Sequence, residues 1–120
     1  LFFHLNRILS PEGILLIAVP NIKAPERSFY GINWAAFDTP RHLYHFQTES
    51  LIALCNKYKF KVLRKFSLFQ DTPYNILLRM IKLNPVNIIM GILIFIYSFI
   101  IILLRGPDYS SSILIICRKS

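Results

Sequence analysis

Ser10-Pro11-Glu12-Gly13, followed by Ile14-Leu15-Leu16-Ile17-Ala18-Val19-Pro20-Asn21, is the stretch whose reading decides the fold. Pro11 disfavours helix in the residue before it, and Gly13 suits a turn. Ile14 to Val19 is an unbroken apolar run, and Pro20-Asn21 stops it. A short continuous run of this kind reads as a strand covered on both faces, the usual strand of a parallel sheet flanked by helices. Upstream of the turn, Leu1, Phe2, Leu5, Ile8 and Leu9 share one face of a helix. The chain therefore opens as helix, turn and buried strand.

Residues 22 to 46 have no clear period. They carry Pro25, Gly31 and Pro40 among Phe29, Tyr30, Trp34, Phe37, Tyr44 and Phe46. So many aromatic side chains in a long irregular segment predict an ordered, partly buried, functional loop. Thr48 is placed to cap a helix whose apolar face is Leu51, Ile52, Leu54, Cys55 and Tyr58. Phe60, Val62, Phe66 and Leu68 then read as a strand, with Lys61, Arg64 and Lys65 between them. Helix, strand, loop, helix, strand is α/β order.

From Leu83 to Leu104 there is no charged residue, and Ile88 to Leu104 is interrupted by Gly91 and Ser98 alone among its small or polar positions other than Tyr97. As a helix those last 17 residues span about 26 Å, against a bilayer core of about 30 Å. Arg79 and Lys82 precede the run and Arg105 follows it. A small α/β domain has little room for a helix apolar on all sides, so membrane contact is expected. The segment is expected either to dip into the bilayer and return, with Tyr74 to Leu83 as the companion arm of a hairpin broken at Asn84-Pro85, or to lie at the interface, and Gly91 allows close helix packing. Gly106-Pro107-Asp108 is a turn, and Ser112 to Cys117 is a further apolar strand.

The whole chain is 120 residues, room for one domain, and 14 Lys and Arg against 6 Asp and Glu give a net charge of +8. A hydrophobic fraction of 54% excludes disorder. Two cysteines, Cys55 and Cys117, are too few for a disulfide scaffold; they fit a reducing compartment best, with one disulfide between them as the alternative. The basic residues are scattered, and the apolar run is a poor partner for phosphate backbones, so no nucleic acid is expected as a partner. Basic residues beside an apolar segment suit an anionic membrane face instead. The chain opens Leu1-Phe2-Phe3-His4, without an initiator methionine or a signal-peptide pattern, and reads as the inside of a helix. A fragment of a longer protein is the expectation.

Three stretches together resemble class I S-adenosylmethionine-dependent methyltransferases. Arg7 to Ile17 resembles the helix, proline-glycine turn and fifth strand of that family. Val19-Pro20-Asn21, Trp34, the run Asp38-x-Pro40-Arg41-His42-Leu43-Tyr44-His45-Phe46 and Glu49-Ser50-Leu51 resemble one large branch of it. Phe60-Lys61-Val62 corresponds to the start of the sixth strand and Ser112 to Lys119 to the last. The resemblance implies an α/β fold, the C-terminal part of a Rossmann-like methyltransferase sheet (fifth, sixth and seventh strands), with an apolar helical insertion. Residues 1–70 would belong to the methyltransferase domain, 71–107 would form the membrane-associated insertion, and 108–120 would hold the last strand, which returns beside the fifth and sixth. The family's glycine-rich loop and ribose-binding acid lie upstream of Leu1. The cofactor, S-adenosylmethionine, is therefore assigned to the full-length parent, with no cofactor-binding residue in this chain, which alone is expected to be inactive.

The loop after Asn21 starts where ligands bind in α/β sheets, beyond the carboxyl end of a strand. Asn21, Trp34, Arg41, His42 and His45 are the expected substrate-binding residues, for a small-molecule or lipid-like methyl acceptor. No catalytic residue is assigned. His42 and His45 form a His-x-x-His pair without a third ligand nearby, so no metal site is expected. Two roles for them remain side by side: a pocket with a general base, or braces that hold the loop through backbone hydrogen bonds. The expected location is the cytoplasmic face of a membrane, reached by a lipid surface as partner. The alternative is a small non-enzymatic membrane-anchored protein or a decayed gene fragment. Residues 1–120 alone are expected to show no S-adenosylmethionine binding in a calorimetric titration.

Overall fold

The last strand of the chain lies in the middle of the sheet. The computed structural model describes residues 1–38, 42, 44–80 and 84–120. Strands β1 (Ile14–Pro20), β2 (Phe60–Ser67) and β3 (Ser112–Lys119) form one sheet in the order β1-β3-β2. Both outer strands run antiparallel to β3, with Ile17 opposite Ile115 and Val62 opposite Cys117. The expected union of Ile14–Val19 with Ser112–Cys117 in one sheet is therefore present, in a mixed α/β chain.

Helices α1 (Phe2–Ile8) and α3 (Thr48–Lys57) cover one sheet face, and the single-turn α2 (Arg27–Tyr30) lies in the loop between β1 and α3. Leu51, Cys55, Phe60, Ile113, Ile115 and Cys117 are buried together there, with Phe2, Leu5, Leu9, Leu15, Ile17 and Val19 packed against them. Cys55 and Cys117 form no disulfide; the Cys117 thiol donates to Cys55 Sγ at 3.6 Å, and burial, with that bond, pushes Cys117 up to about 12. The other face stands open: Ile14, Leu16 and Phe66 are exposed. This differs from a strand covered on both faces in a parallel sheet. Both described helices that pack on β1 sit on one side, and its described neighbour runs the opposite way.

Three local details also differ from expectation. Gln47, with extended backbone and no side-chain bond, precedes α3, and Thr48 is its first helical residue rather than its cap. In the turn before β1, Glu12 takes the left-handed conformation (φ 64°). Gly13 matters through close approach instead: a Cβ there would meet Leu9 Cδ2 and the Ser10 carbonyl oxygen, each at 2.8 Å. In β2 the register shifts between Val62 and Arg64, leaving Leu63 as an extra residue. Such a bulge moves everything beyond it to the opposite face. Phe60 and Val62 thus join the core, while Phe66 lies opposite Leu114 on the open side.

Between β2 and β3 the chain forms two helices, the first starting three residues before the expected arm Tyr74 to Leu83, whose residues 81–83 lie outside the described residues. Helix α4 spans Asp71–Arg79 and helix α5 spans Pro85–Arg105. Asn84 caps α5 by accepting the Asn87 amide at 2.8 Å, and Pro85 occupies the first turn, where its missing N–H costs nothing. Gly106, at φ 91°, ends the helix in a conformation that favours glycine. Because β2 and β3 pair, the segment leaves the sheet and returns to it. Helix α4 is about 14 Å long at nine residues, less than half a bilayer core.

Gly91 lies where α4 meets α5. A Cβ there would sit 2.6 Å from Met80 Sδ and 3.4 Å from Ile76 Cγ2. The flexible Met80 thioether can yield to one methyl but not to a branched chain. Gly91→Ala is expected to leave thermal stability nearly unchanged, and Gly91→Leu to cost about 1–3 kcal/mol by overpacking, read from paired urea unfolding curves.

Candidate functional site

The carboxyl ends of β1 and β2 and the amino end of β3 meet at one end of the sheet. Here the backbone amide of Asn21 donates to Ser111 O at 2.9 Å and that of Leu68 to Ser112 O at 3.0 Å. The loop after β1 and the α4–α5 hairpin both pack on this end, and most buried polar side chains gather here: Asn21, Glu26, Thr72, Asn75, Ser98, Ser110, Ser111 and Ser112. Buried polar groups need partners, and the side chains of Asn21, Glu26, Thr72, Ser98, Ser110 and Ser111 have them, in one another or in backbone. The Asn21 amide donates to Asp108 O (2.7 Å) and Ser110 O (2.8 Å), and its Oδ1 accepts the Lys23 amide at 3.1 Å. Asn21 thus ties the start of the loop to the return of the hairpin.

Glu26 is the centre of this junction. It is completely buried, and both its oxygens accept hydroxyl bonds: Oε1 from Ser111, and Oε2 from Ser98 of α5 at 3.4 Å. Ser111 Oγ is also 2.7 Å from Thr72 Oγ1 of α4. A hydroxyl has one hydrogen, so Ser111 donating to the carboxyl leaves Thr72 to donate to Ser111. Burial pushes the Glu26 carboxyl above the ordinary carboxylate range, and the bonds from Ser111, its own backbone amide and Ser98 draw it partly back. The Trp34 indole N–H is buried near the same carboxyl and draws it down in the same sense, short of full hydrogen-bond geometry.

Two adjoining cavities, of about 440 and 410 Å³, open between the loop and α4 and share Ala35, Asp38 and Leu78 in their walls. The first contains Trp34 and Arg79; the second contains His42, Asp71, Tyr74 and Asn75 beside the strand ends Pro20 and Ser112. An imidazole, two carboxyls and a phenol line one cleft, side-chain types that serve as general acids and bases in enzymes. The loop residues singled out from sequence therefore part company. His42 is exposed in the cleft. Trp34 is fully buried, edge-to-face on Phe37 at 5.3 Å. His45 sits against the Phe37 ring, with Nε2 3.3 Å from the Phe37 carbonyl oxygen, a loop brace. Arg41 lies outside the described residues. Asp71, Tyr74 and Asn75 were not singled out from sequence. Their signal is that α4 begins just past the carboxyl end of β2, the same placement that marks the loop after β1.

Among the described residues no three His, Cys, Asp or Glu side chains gather closely enough to hold a metal ion. No protein-family model and no curated protein sequence matches the chain.

The raised carboxyl fixes the sign of a pH effect. Between the unfolded value near 4.5 and its higher folded value, Glu26 binds more proton in the native state. Its contribution to stability is thus present below the unfolded pKa and lost as pH rises through the folded one. In urea titrations Glu26→Gln is expected to flatten the fall in stability toward neutral pH relative to the parent. Glu26→Ala, which strands Ser98 and Ser111, is expected to cost about 1–3 kcal/mol.

Proposed function

We propose that the chain is the C-terminal, acceptor-side part of a class I S-adenosylmethionine-dependent methyltransferase, held at the cytoplasmic face of a membrane by α5. The observation that carries this reading is the return of β3 between β1 and β2, the strands that the sequence resemblance identifies as last, fifth and sixth. The outer edge of β1 supports it. That edge has no strand partner among the described residues, the face bearing Ile14 and Leu16 is exposed, and a trough of about 790 Å³ runs beside β1. In a larger doubly wound sheet a further strand and its helices would cover these surfaces. The methyl acceptor would occupy the cleft between the loop and α4. The cofactor, held by the parent's upstream residues, would supply the methyl group, and His42 in the cleft would take the proton the acceptor releases.

Helix α5 supports the membrane half of the reading. Among the described residues it is the one helix long and apolar enough to cross a bilayer, and 17% of its most apolar window is buried, unlike a core helix. Gly91, Ile94 and Ser98 face the protein, while Ile89, Leu93, Ile100, Leu103 and Leu104 are exposed. One face is thus docked on the domain and the opposite face is apolar. That suits a helix lying in the plane of the interface, with both ends on one side. Arg79 and Arg105 near those ends favour the cytoplasmic side.

Two experiments test the halves separately. In a longer protein carrying the chain's upstream sequence, His42→Ala is expected to lower methyl transfer about a hundredfold or more with unchanged melting temperature. Loss in mere proportion to folded protein would make His42 structural, and absence of S-adenosylmethionine binding by that longer protein would end the methyltransferase reading. Trp34→Ala is a poorer probe, because truncating a fully buried indole costs about 3–5 kcal/mol. For topology, Asn56→Cys and Ser120→Cys are both expected to resist an impermeant thiol reagent in intact cells and to react once the membrane is opened; the native thiols are buried and stay silent. Labelling of either in intact cells would overturn the interfacial placement.

A further inference from the structure

We propose that the basic cavity beside the C-terminal end of α5 binds the phosphate group of an anionic amphiphile, with the apolar part of that molecule along the exposed face of the helix. This rests on the membrane reading of α5. The cavity, of about 460 Å³, lies between the segment after β1 and α5. Its walls include Lys23, Arg27 and Arg105 together with Tyr97, Ile101 and Tyr109, and no carboxylate is among its lining residues. Its size is in the range of small-molecule sites.

Charge pairing inside the protein leaves this cavity positive. Lys23 is neutralised by Glu49, its Nζ 2.7 Å from Oε1. Asp108 is held by Lys65 at 2.7 Å. Glu26, next to Arg27 in sequence, is buried and engaged by Ser98 and Ser111. Arg27 and Arg105 therefore have no carboxylate partner among the described residues. Arg27 donates one weak bond, from Nη1 to Ile22 O at 3.4 Å, and its guanidinium carbon stands 5.8 Å from the Phe37 ring centre. The guanidinium carbon of Arg105 stands 5.5 Å from the Tyr109 ring centre. Aromatic contacts orient both groups without consuming their donors, and a guanidinium carries five. Two such forks lining one cavity, one from each side, suit a tetrahedral phosphate with several acceptor oxygens, for which arginine is better suited than lysine.

The position supplies the second half of the ligand. Arg105 is the last residue of α5, directly after Leu103 and Leu104, which are 73% and 76% exposed. The cationic cavity thus adjoins the apolar strip, and a molecule with a phosphate head and a hydrocarbon tail satisfies both at once. A phospholipid headgroup and free inorganic phosphate share the head chemistry; the strip favours the amphiphile.

The test is co-flotation of the full chain with vesicles of phosphatidylcholine alone, and of phosphatidylcholine containing phosphatidic acid, at fixed ionic strength. The expected result is flotation with both and tighter binding to the anionic vesicles. The double variant R27Q/R105Q should weaken binding to the anionic vesicles about tenfold or more, while its binding to neutral vesicles stays unchanged. K57Q/K61Q, which removes the same charge from exposed positions on α3 and β2, should keep the anionic preference within about twofold by the same measure. R27K/R105K, which retains the charge, should recover it in part. Equal loss in both glutamine variants, or none in R27Q/R105Q, would overturn the site and leave a nonspecific basic surface or no site. A parallel thermal-shift titration with inorganic phosphate is expected to show no arginine-dependent stabilisation. Stabilisation there without an anionic preference on vesicles would assign the cavity to free phosphate and overturn the amphiphile. Failure to float even with neutral vesicles would instead overturn the membrane reading of α5 on which this site rests.

Discussion

The constraint on which everything else depends is that β3, the final strand, pairs on both its edges. β1 and β2 do not pair with each other; each is hydrogen-bonded to Ser112–Lys119. A sheet finished by its last strand commits the chain to long-range contacts, whose loop-closure entropy must be met before any pairing is gained. It also dictates the route of the intervening segment. Whatever lies between Ser67 and Ser112 must start and finish at the same end of the sheet. The most apolar helix of the chain is therefore tethered at both ends, and its environment, water or lipid, is reached from one side.

That tether is reinforced by polar chemistry. A helix with so many exposed isoleucines and leucines would gain little orientation from apolar packing alone, since one apolar face resembles another. The bond from Ser98 to Glu26, and from Glu26 through Ser111 to Thr72, selects one rotation of α5 and one position of α4. Burying a carboxyl is unfavourable by itself, which is why its proton affinity rises. The hydroxyls of this network come from three separate stretches, α4, α5 and the residue before β3, so the carboxyl joins all three to the loop that carries it. Asn21 does the same for the loop, with all its amide groups committed to backbone. A cleft lined by both loop and α4 is thereby fixed relative to the helix proposed to lie at the membrane, so an acceptor embedded in lipid and the proton-handling groups would be held in one frame.

The candidate site was half legible in the sequence. The loop after Val19-Pro20-Asn21 drew attention because ligands gather beyond strand ends, and His42 does line the cleft. Asp71, Tyr74 and Asn75 escaped because α4 read as the first arm of an apolar hairpin, a reading that fits its exposed Leu77 and Leu78 and hides its polar side. Glu26 escaped altogether. A glutamate between Pro25 and Arg27 in an irregular segment looks solvated, and nothing local announces that Ser98, seventy-two residues later, will bond to it.

What the sequence by itself determined was local. Pro11 and Gly13 end α1 and start β1, Asn84 and Pro85 start α5, and Gly91 permits the helix contact, because backbone geometry and close approach depend on residues within a few positions or on a missing Cβ. The apolar period placed Leu51 and Cys55 inward for the same reason. What only the tertiary structure decided was which partner each element met. The antiparallel direction of β1 and its open face, the bulge at Leu63 that turns Phe66 away from the core, and the meeting of Glu26 with Ser98 and Ser111 depend on pairings between distant segments. An alternating or continuous apolar run states that a strand will be buried, but its neighbour, direction and register are set by the backbone hydrogen bonds it completes, and those partners are chosen by the whole chain at once.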